Sequence, residues 1–313
     1  MKIMLTGANG FIGKALVAEL LQGGNELTAV VRSAKGLANS SALTVQQVDS
    51  FDKPQLDQLD FSDVGCVIHL AARAHVLSDS SRDPLSAFRK VNTDATLELA
   101  RLAGAAGVQR FIFLSSIGVN GISSDEPFSV DDKPAPVEDY AISKLEAEIG
   151  LRRIAAEIGI EVVIIRPPLV YGANAPGNFA KLAKLAQKNL PLPLGAISNK
   201  RSLVALDNLI DLIIRCITHP KAANQTFLVS DDQDVSTTEL LQMLTIAAGH
   251  KPRLLPVPVS WLNLAAKLTG KTAVVDRLCG NLQLDIAHTK LTLDWTPPLT
   301  VKEGIARCFS AKD

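Results

Sequence analysis

Tyr140 and Lys144, in the stretch YAISK, are four residues apart. On a helix that spacing puts both side chains on one face. A free phenol has a pKa of about 10 and exchanges protons poorly at neutral pH. An ammonium group beside it favours the phenolate and lowers that value, which suits a general acid–base. Upstream, FIFLSSIGVNG brings two hydroxyls, Ser115 and Ser116, to the end of an apolar run. A hydroxyl there could hydrogen-bond a reacting oxygen.

A third feature lies at the start of the chain. LTGANGFIGKALVAEL places Gly7, Gly10 and Gly13, with Phe11 and Ile12 between the last two, where an apolar run gives way to a helical pattern. A pyrophosphate needs a tight turn, close backbone N–H groups and a helix N-terminus aimed at it. Glycines permit the turn and remove the Cβ atoms that would block approach.

These residues need elements to hold them. KIMLT (2–6), ELTAVV (26–31), CVIHLA (66–71), RFIFLS (110–115) and EVVIIR (161–166) read as buried strands. Helical patterns at 11–22, 84–107 and 140–159 separate them. Strands apolar on both faces, alternating with helices, predict an α/β fold, a doubly wound parallel sheet covered on both sides. Ligands bind such sheets outside the carboxyl ends of the strands, where the two serines lie.

After about residue 172 Pro and Gly become frequent, in GANAPGNF and NLPLPLG, and RLLPVPVSWLNLAAKLTGK mixes turns with short helices. We expect a main domain over 1–172, to which 202–230 returns with a strand and a helix. Residues 173–201 and 231–313 are expected to form a smaller substrate-binding part.

The 313 residues carry 32 basic and 32 acidic side chains. That balance removes the whole-chain electrostatic case for a nucleic-acid or acidic-membrane binder, and leaves open a local basic pocket. No apolar run approaches the roughly 20 residues needed to cross a bilayer. Cys66, Cys216, Cys279 and Cys308 are scattered, without Cys/His clusters, so no metal site is expected. Reduced thiols and a start with no signal-peptide pattern predict a cytoplasmic protein.

The Gly-x-x-Gly-x-x-Gly of TGANGFIG, with Tyr-x-x-x-Lys and the strand-end serine, resembles the extended short-chain dehydrogenase/reductase family along essentially the whole chain. The resemblance implies a dinucleotide-binding Rossmann sheet and a catalytic set of Ser116, Tyr140 and Lys144, with Ser115 the alternative hydroxyl. Tyr140 would be the general acid/base. Lys144 would bind the nicotinamide ribose and lower the Tyr140 pKa, and Ser116 would hydrogen-bond the reacting oxygen. It further implies cofactor contacts from Gly7, Gly10, Phe11, Ile12, Gly13, Asp49 at the end of the third strand, Ala71, Ala72 and Pro167. Asn92, in mid-helix, would hold the central strand and helix together near the site. His69 and His75 are read as structural or peripheral.

NAD-binding members end the second strand with an acid that accepts hydrogen bonds from the ribose hydroxyls. In AVVRSAKG that position is Val31, followed by Arg32, Ser33 and Lys35. Valine cannot accept those bonds, whereas a guanidinium can pair with a 2′-phosphate. NADP(H) is therefore expected over NAD(H).

IIRPPLVYGANAPGNF and NKRSLVALDNLIDL resemble the nucleotide-sugar branch. The match implies substrate contacts from Asn178 and Arg201, and Arg277 offers a second phosphate contact. Asp207 is expected to cap a helix. The shortened C-terminal part resembles bacterial surface-polysaccharide enzymes labelled UDP-glucose 4-epimerase-like. The first expectation is an NADPH-dependent C4 ketoreductase of a UDP-4-keto-6-deoxy sugar. The alternatives are a UDP-hexose 4-epimerase with bound NAD, and, in a different class, a non-catalytic NADP-sensing protein. A homodimer built through the 84–107 and 140–159 helices is the implied assembly, with no nucleic-acid or membrane partner.

Overall fold

The computed structural model describes residues 1–74 and 83–309. The strands are β1 (Lys2–Thr6), β2 (Glu26–Val31), β3 (Leu43–Gln47), β4 (Val64–His69), β5 (Arg110–Leu114), β6 (Glu161–Arg166), β7 (Leu169–Tyr171), β8 (Leu203–Ala205) and β9 (Thr226–Leu228). Seven of them form one sheet in the order β3-β2-β1-β4-β5-β6-β9, every pairing parallel. The chain winds outward from β1 to β3, then crosses back to β4, so the topological switch point lies between β1 and β4. Both faces are apolar because both are covered: alternate residues of one strand, such as Ile3 and Met4, enter different cores.

The helices are α1 (Phe11–Gln22), α2 (Lys53–Leu56), α3 (Pro84–Arg89), α4 (Ala95–Ala105), α5 (Asp139–Ile158), α6 (Gly177–Lys188), α7 (Leu206–Thr218), α8 (Thr237–Ala247), α9 (Val259–Thr269), α10 (Thr272–Cys279), α11 (Ala287–Leu293) and α12 (Val301–Arg307). α1 and α7 supply Leu16, Leu20, Leu209 and Ile213 to one core, while α4 and α5 supply Leu99, Ala103, Leu151 and Ile154 to the other. A third cluster, around Tyr171, Phe179, Leu244 and Ile305, holds α6, α8 and α12 together.

Three local expectations change. The helix expected over 84–107 is interrupted by a π-helical turn, Lys90–Asp94, between α3 and α4. The strand expected after residue 202 does not enter the main sheet: β8 pairs with β7 in a separate two-stranded sheet, and β9 takes the outer place beside β6. Asp207 does not cap α7. The N-cap is Ala205, and the Asp207 carboxylate accepts from Arg307 at 2.9 Å.

Candidate active site

Because the sheet is parallel, β1, β4 and β5 end on the same edge. There the first loop turns into α1. Gly7 has φ +74°, and a Cβ on it would stand 2.8 Å from the Ala71 amide nitrogen; one on Gly13 would stand 2.1 Å from the Gly7 carbonyl oxygen. The glycines thus let β1, the β4 end and α1 close on one another. Gly10 N–H closes the turn onto Gly7 O at 2.9 Å.

α1 begins at Gly10 with no side-chain cap and no acid in its first turn. Its first-turn amides and the dipole are therefore available to an anion. Asn9 donates to the Ser33 carbonyl beside Arg32, while its buried Oδ1 has no partner. The uncapped helix start fits a dinucleotide pyrophosphate, whereas the orphaned Asn9 acceptor fits an O–H or N–H donor such as a ribose hydroxyl, not the anion. Ala71 and Ala72, half-buried, follow β4 on the same edge. Val31 is buried as the last residue of β2, and Arg32 is exposed beyond it. Asp49 sits two residues past the end of β3, exposed, its N–H on Gln55 Oε1 at 3.2 Å.

The two serines part company. Ser115 is 3% exposed and donates to Glu148 Oε1 at 2.6 Å. Ser116 is half-buried, and its Oγ accepts from Gly118 N–H at 3.1 Å in a short 3-10 turn, Ile117–Val119. A Cβ on Gly118 would lie 3.2 Å from Ala141 Cβ and 3.4 Å from Ser116 Oγ, so this turn is pressed against the first turn of α5. The buried Pro167 holds it from the other side, accepting from Ile117 N–H at 3.0 Å. Ser116, not Ser115, is the hydroxyl that stands free of the buried charges.

Tyr140 and Lys144 project from the start of α5. Lys144 Nζ donates to the Leu114 carbonyl at 2.9 Å, lies 4.3 Å from the centre of the Phe113 ring and 6.0 Å from that of Tyr140. It is 1% exposed, and burial pulls its pKa down to about 7 against the opposing pull of Glu148 one turn behind. Burial also pushes the Tyr140 phenol up to about 12. Tyr140 meets Phe88 edge-on, with 6.2 Å between ring centres, and Arg73 lies over the other side of that system, 5.6 Å from the Phe88 centroid.

Asn92 explains the π-helical turn. It is fully buried, its Oδ1 accepts from Arg73 N–H at 2.8 Å, and its Nδ2 donates to Arg73 O at 3.1 Å and Ser143 Oγ at 3.0 Å. Ser143 in turn donates to the Tyr140 carbonyl at 2.7 Å. The extra residue in the turn brings this amide to both the β4 loop and α5, which is a frequent use of π-bulges.

His69 is 1% exposed, 6.0 Å from Phe113 centre to centre in a stacked arrangement. Burial holds its pKa down at about 3, so it stays neutral. The hydrogen bonds fix one direction of donation. Ala71 N–H donates to Thr6 Oγ1 (3.2 Å), Thr6 to His69 Nδ1 (2.8 Å), His69 Nε2–H to Thr96 (3.0 Å), and Thr96 to Asn92 O (2.8 Å). His69 ties the strand ends to the π turn; His75 lies outside the described residues.

Beneath the site lies a group that sequence reading missed. Glu148 accepts from Arg166 through both oxygens, at 2.9 and 2.6 Å, and Arg166 Nη1 donates to Asn120 at 2.9 Å. Glu148 is 1% and Arg166 3% exposed. The available signal was their position: Glu148 follows Lys144 by four residues, and Arg166 ends β6.

The expected substrate residues are more scattered. Asn178 is exposed in the first turn of α6. Arg201 Nη1 donates to the Arg277 and Gly280 carbonyls at 3.1 and 3.0 Å, capping the end of α10, with Nη2 and Nε outside these bonds. Arg277 is exposed and pairs at 2.6 Å with Glu138, the N-cap residue of α5 two positions before Tyr140. A cavity of about 520 Å³ opens in the 120–137 loop between the Ser116 turn and α5, lined among others by Ile122, Ser124, Phe128, Lys133 and Val137. The described residues contain no cluster suited to a metal ion.

A family model, that of the NAD dependent epimerase/dehydratase family, matches residues 3–230. A UDP-glucose 4-epimerase of Vibrio cholerae is 47% identical over 313 residues, covering 99% of this chain and 94% of that protein. A UDP-glucose 4-epimerase of Mycolicibacterium smegmatis is 28% identical, covering 98% and 97%. Among solved structures, UDP-glucose 4-epimerase with UDP-glucose from Thermotoga maritima superposes with a TM-score of 0.79 at 22% identity, over 99% of this chain and 97% of that one. The Bordetella bronchiseptica enzyme WbmG in complex with NAD gives 0.77 at 20%, over 98% and 92%. A glycine loop closed on α1, a parallel sheet with its switch point above β1 and β4, and this extent of likeness have one conclusion: the chain belongs to the NAD dependent epimerase/dehydratase family.

Proposed function

We propose that the chain inverts the C4 centre of a UDP-hexose, with Tyr140 as the group that takes and returns the C4 hydroxyl proton. The observation that carries this reading is the convergence of Tyr140, Lys144 and Ser116 on the strand edge that holds the glycine loop. A bound nicotinamide dinucleotide supplies the hydride chemistry. Its pyrophosphate would be held by Gly10, Phe11, Ile12 and Gly13, and its nicotinamide ribose by Lys144, with Asp49 at the adenine and Arg32 placed to meet a 2′-phosphate where one is present. Lys144, when protonated, would supply positive charge in a dry setting, where it counts for more than in water, and would favour the phenolate that burial opposes. Ser116 donates to the C4 oxygen as charge develops there. The 120–137 cavity would receive the sugar, and Asn178 and the remaining Arg201 donors the diphosphate.

The 47% identical relative supports epimerisation over net reduction, which reverses the order expected from the sequence. The ketoreductase remains the second reading because of one observation: a buried valine stands where an acid would hold the ribose hydroxyls, and an exposed arginine follows it. A sensing role without catalysis would leave the intact Tyr140 and Lys144 without a task. The chain would act in the cytoplasm as a homodimer, built through α4 and α5.

The test is to incubate purified protein with UDP-galactose and with UDP-N-acetylgalactosamine, and separately with NADPH and a UDP-4-keto-6-deoxy sugar. Conversion of either UDP-sugar to its C4 epimer, abolished by Tyr140→Phe, supports the first reading. Stoichiometric NADPH oxidation without epimerisation establishes the second. Neither reaction, with dinucleotide and UDP both binding, overturns catalysis at C4.

A further inference from the structure

One helix of the C-terminal part is built the wrong way round for an ordinary surface helix. On α9 the residue packed against the protein is Ala266, 4% exposed. Trp261 is 70%, Leu264 60% and Leu268 81% exposed. Their spacing of three, four and seven residues puts them on one face, opposite Ala266. Single exposed apolar side chains are common; a row of three on one helix face is not.

Two more exposed leucines lie on the segment that leads into α9 and on the stretch of chain paired with it. Leu192 N–H donates to Arg253 O at 3.0 Å and Leu255 N–H to Leu192 O at 2.8 Å, so the chain after α6 runs beside the chain before α9. Leu190 and Leu255, each 52% exposed, lie on these two segments.

Charge is just as uneven. Residues 173–201 and 247–280 contain ten lysines and arginines against one acid, Asp276, in a chain whose total charge is zero. Of those ten, only Arg277 is in an ion pair among the described residues. Lys181, Lys184 and Lys188 line α6, Lys267 lies on α9, and Lys271 follows it, all exposed.

An outward apolar helix face with an aromatic residue, bordered by Lys267 on the same helix and set in a stretch of chain rich in unpaired cations, is the composition of a helix that lies in the headgroup region of a bilayer. We propose that α9, with the basic segments around it, docks on the surface of an anionic lipid bilayer. A second copy of this chain would bring the same excess of cations to the contact and be repelled. Nucleic acid offers phosphates but no apolar phase for the leucines. The attachment is peripheral, since no helix among the described residues is long and apolar enough to span. The proposal is independent of the reaction at C4.

The chain provides its own reporter. Of its two tryptophans, Trp261 is 70% exposed, whereas Trp295 is 6% exposed and hydrogen-bonded to Asp211. The full chain is mixed with vesicles of phosphatidylcholine alone, or of equal parts phosphatidylcholine and phosphatidylglycerol. We expect co-sedimentation and a blue shift of emission with the mixed vesicles only. Trp261→Phe should silence the shift while keeping sedimentation. The double change Leu264→Ser/Leu268→Ser, on exposed side chains, should leave the circular dichroism unchanged and lower vesicle affinity by roughly 100-fold, the effect of withholding two leucines from an apolar phase. No sedimentation with anionic vesicles overturns the proposal. So does binding that the double leucine change leaves intact, which would be adsorption by charge alone, or a vesicle-free dimer that the same change dissolves.

Discussion

The carboxylate of Glu148 and the guanidinium of Arg166 form a bidentate ion pair, at 2.9 and 2.6 Å, directly under the strand end that carries Ser115 and Ser116. Glu148 also stands one turn from Lys144, whose pKa burial brings down to about 7, and 3.6 Å from the half-exposed Arg152. Removing its charge leaves the buried Arg166 guanidinium without its carboxylate and without water. Glu148→Gln is expected to destabilise the fold by about 3–5 kcal/mol, the usual cost of stranding a buried partner. Glu148→Gln with Arg166→Met should recover part of that loss. Urea unfolding of the single and double variants checks it; equal losses would mean that Arg166 is not the stranded partner.

The two serines separate stability from activity. Ser115→Ala removes a hydrogen bond to a charged group and should cost about 1.5–3 kcal/mol of stability. The turnover rate of the folded enzyme should change little. Ser116→Ala should do the reverse, leaving the midpoint of unfolding near its starting value and slowing turnover by roughly 100-fold. Paired denaturation and rate measurements decide; a slow Ser115→Ala and a fast Ser116→Ala would exchange the two assignments.

Arg32 is exposed immediately after β2, with the Ser33 carbonyl engaged by Asn9. Arg32→Ala should weaken NADP(H) by roughly 10- to 100-fold, as expected for the loss of a charge-assisted contact. NAD(H) should be almost unaffected. Titration calorimetry with both dinucleotides reads the ratio directly. If both weaken equally, or neither does, Arg32 has no part in choosing between them.

His69 sets an acid limit on the fold. Burial, then the nearby Lys144 charge, holds its folded-state pKa down at about 3, whereas the unfolded chain takes up the proton near the ordinary histidine value. The folded pKa is depressed, so below about 6.5 the unfolded state binds the extra proton. The stability due to His69 is complete above that point and falls as pH drops toward the folded value. Between about pH 7 and 5 this amounts to about 2 kcal/mol. His69→Gln should flatten the slope of unfolding free energy across that interval. Parallel slopes for the two proteins would show that other groups carry the acid sensitivity.

Much of this was legible in the sequence, for reasons that differ from one residue to the next. β1, β2 and β6 have the bounds expected from their mainly apolar runs, because buried parallel strands need apolar side chains on both faces. The glycine loop and the Tyr140/Lys144 spacing are local patterns and could be read locally. The π-helical turn at Lys90–Asp94 could not: it depends on Asn92 meeting Arg73 and Ser143, residues distant in the chain. The Glu148–Arg166 pair was hidden for the same reason, since a glutamate on an amphipathic helix looks like a solvated one. Arg201 looked like a ligand for a phosphate, yet one of its nitrogens caps α10 through carbonyls 76 and 79 residues further along the chain. Separation along the chain, more than chemistry, divides what could be read from what could not.

The π turn also sets a rule about chain length. One residue of α-helix is worth about 100° of rotation. Deleting any single residue within 90–94 would let α3 and α4 merge into one regular helix, an improvement by every local measure of helix stability. It would also swing everything N-terminal to the deletion through that angle, carrying Phe88 from the Tyr140 ring or Asn92 from the β4 loop. Along this stretch, then, the reading frame of the helix matters more than the identity of most of its side chains. Substitutions there should be accepted far more readily than the loss of one residue.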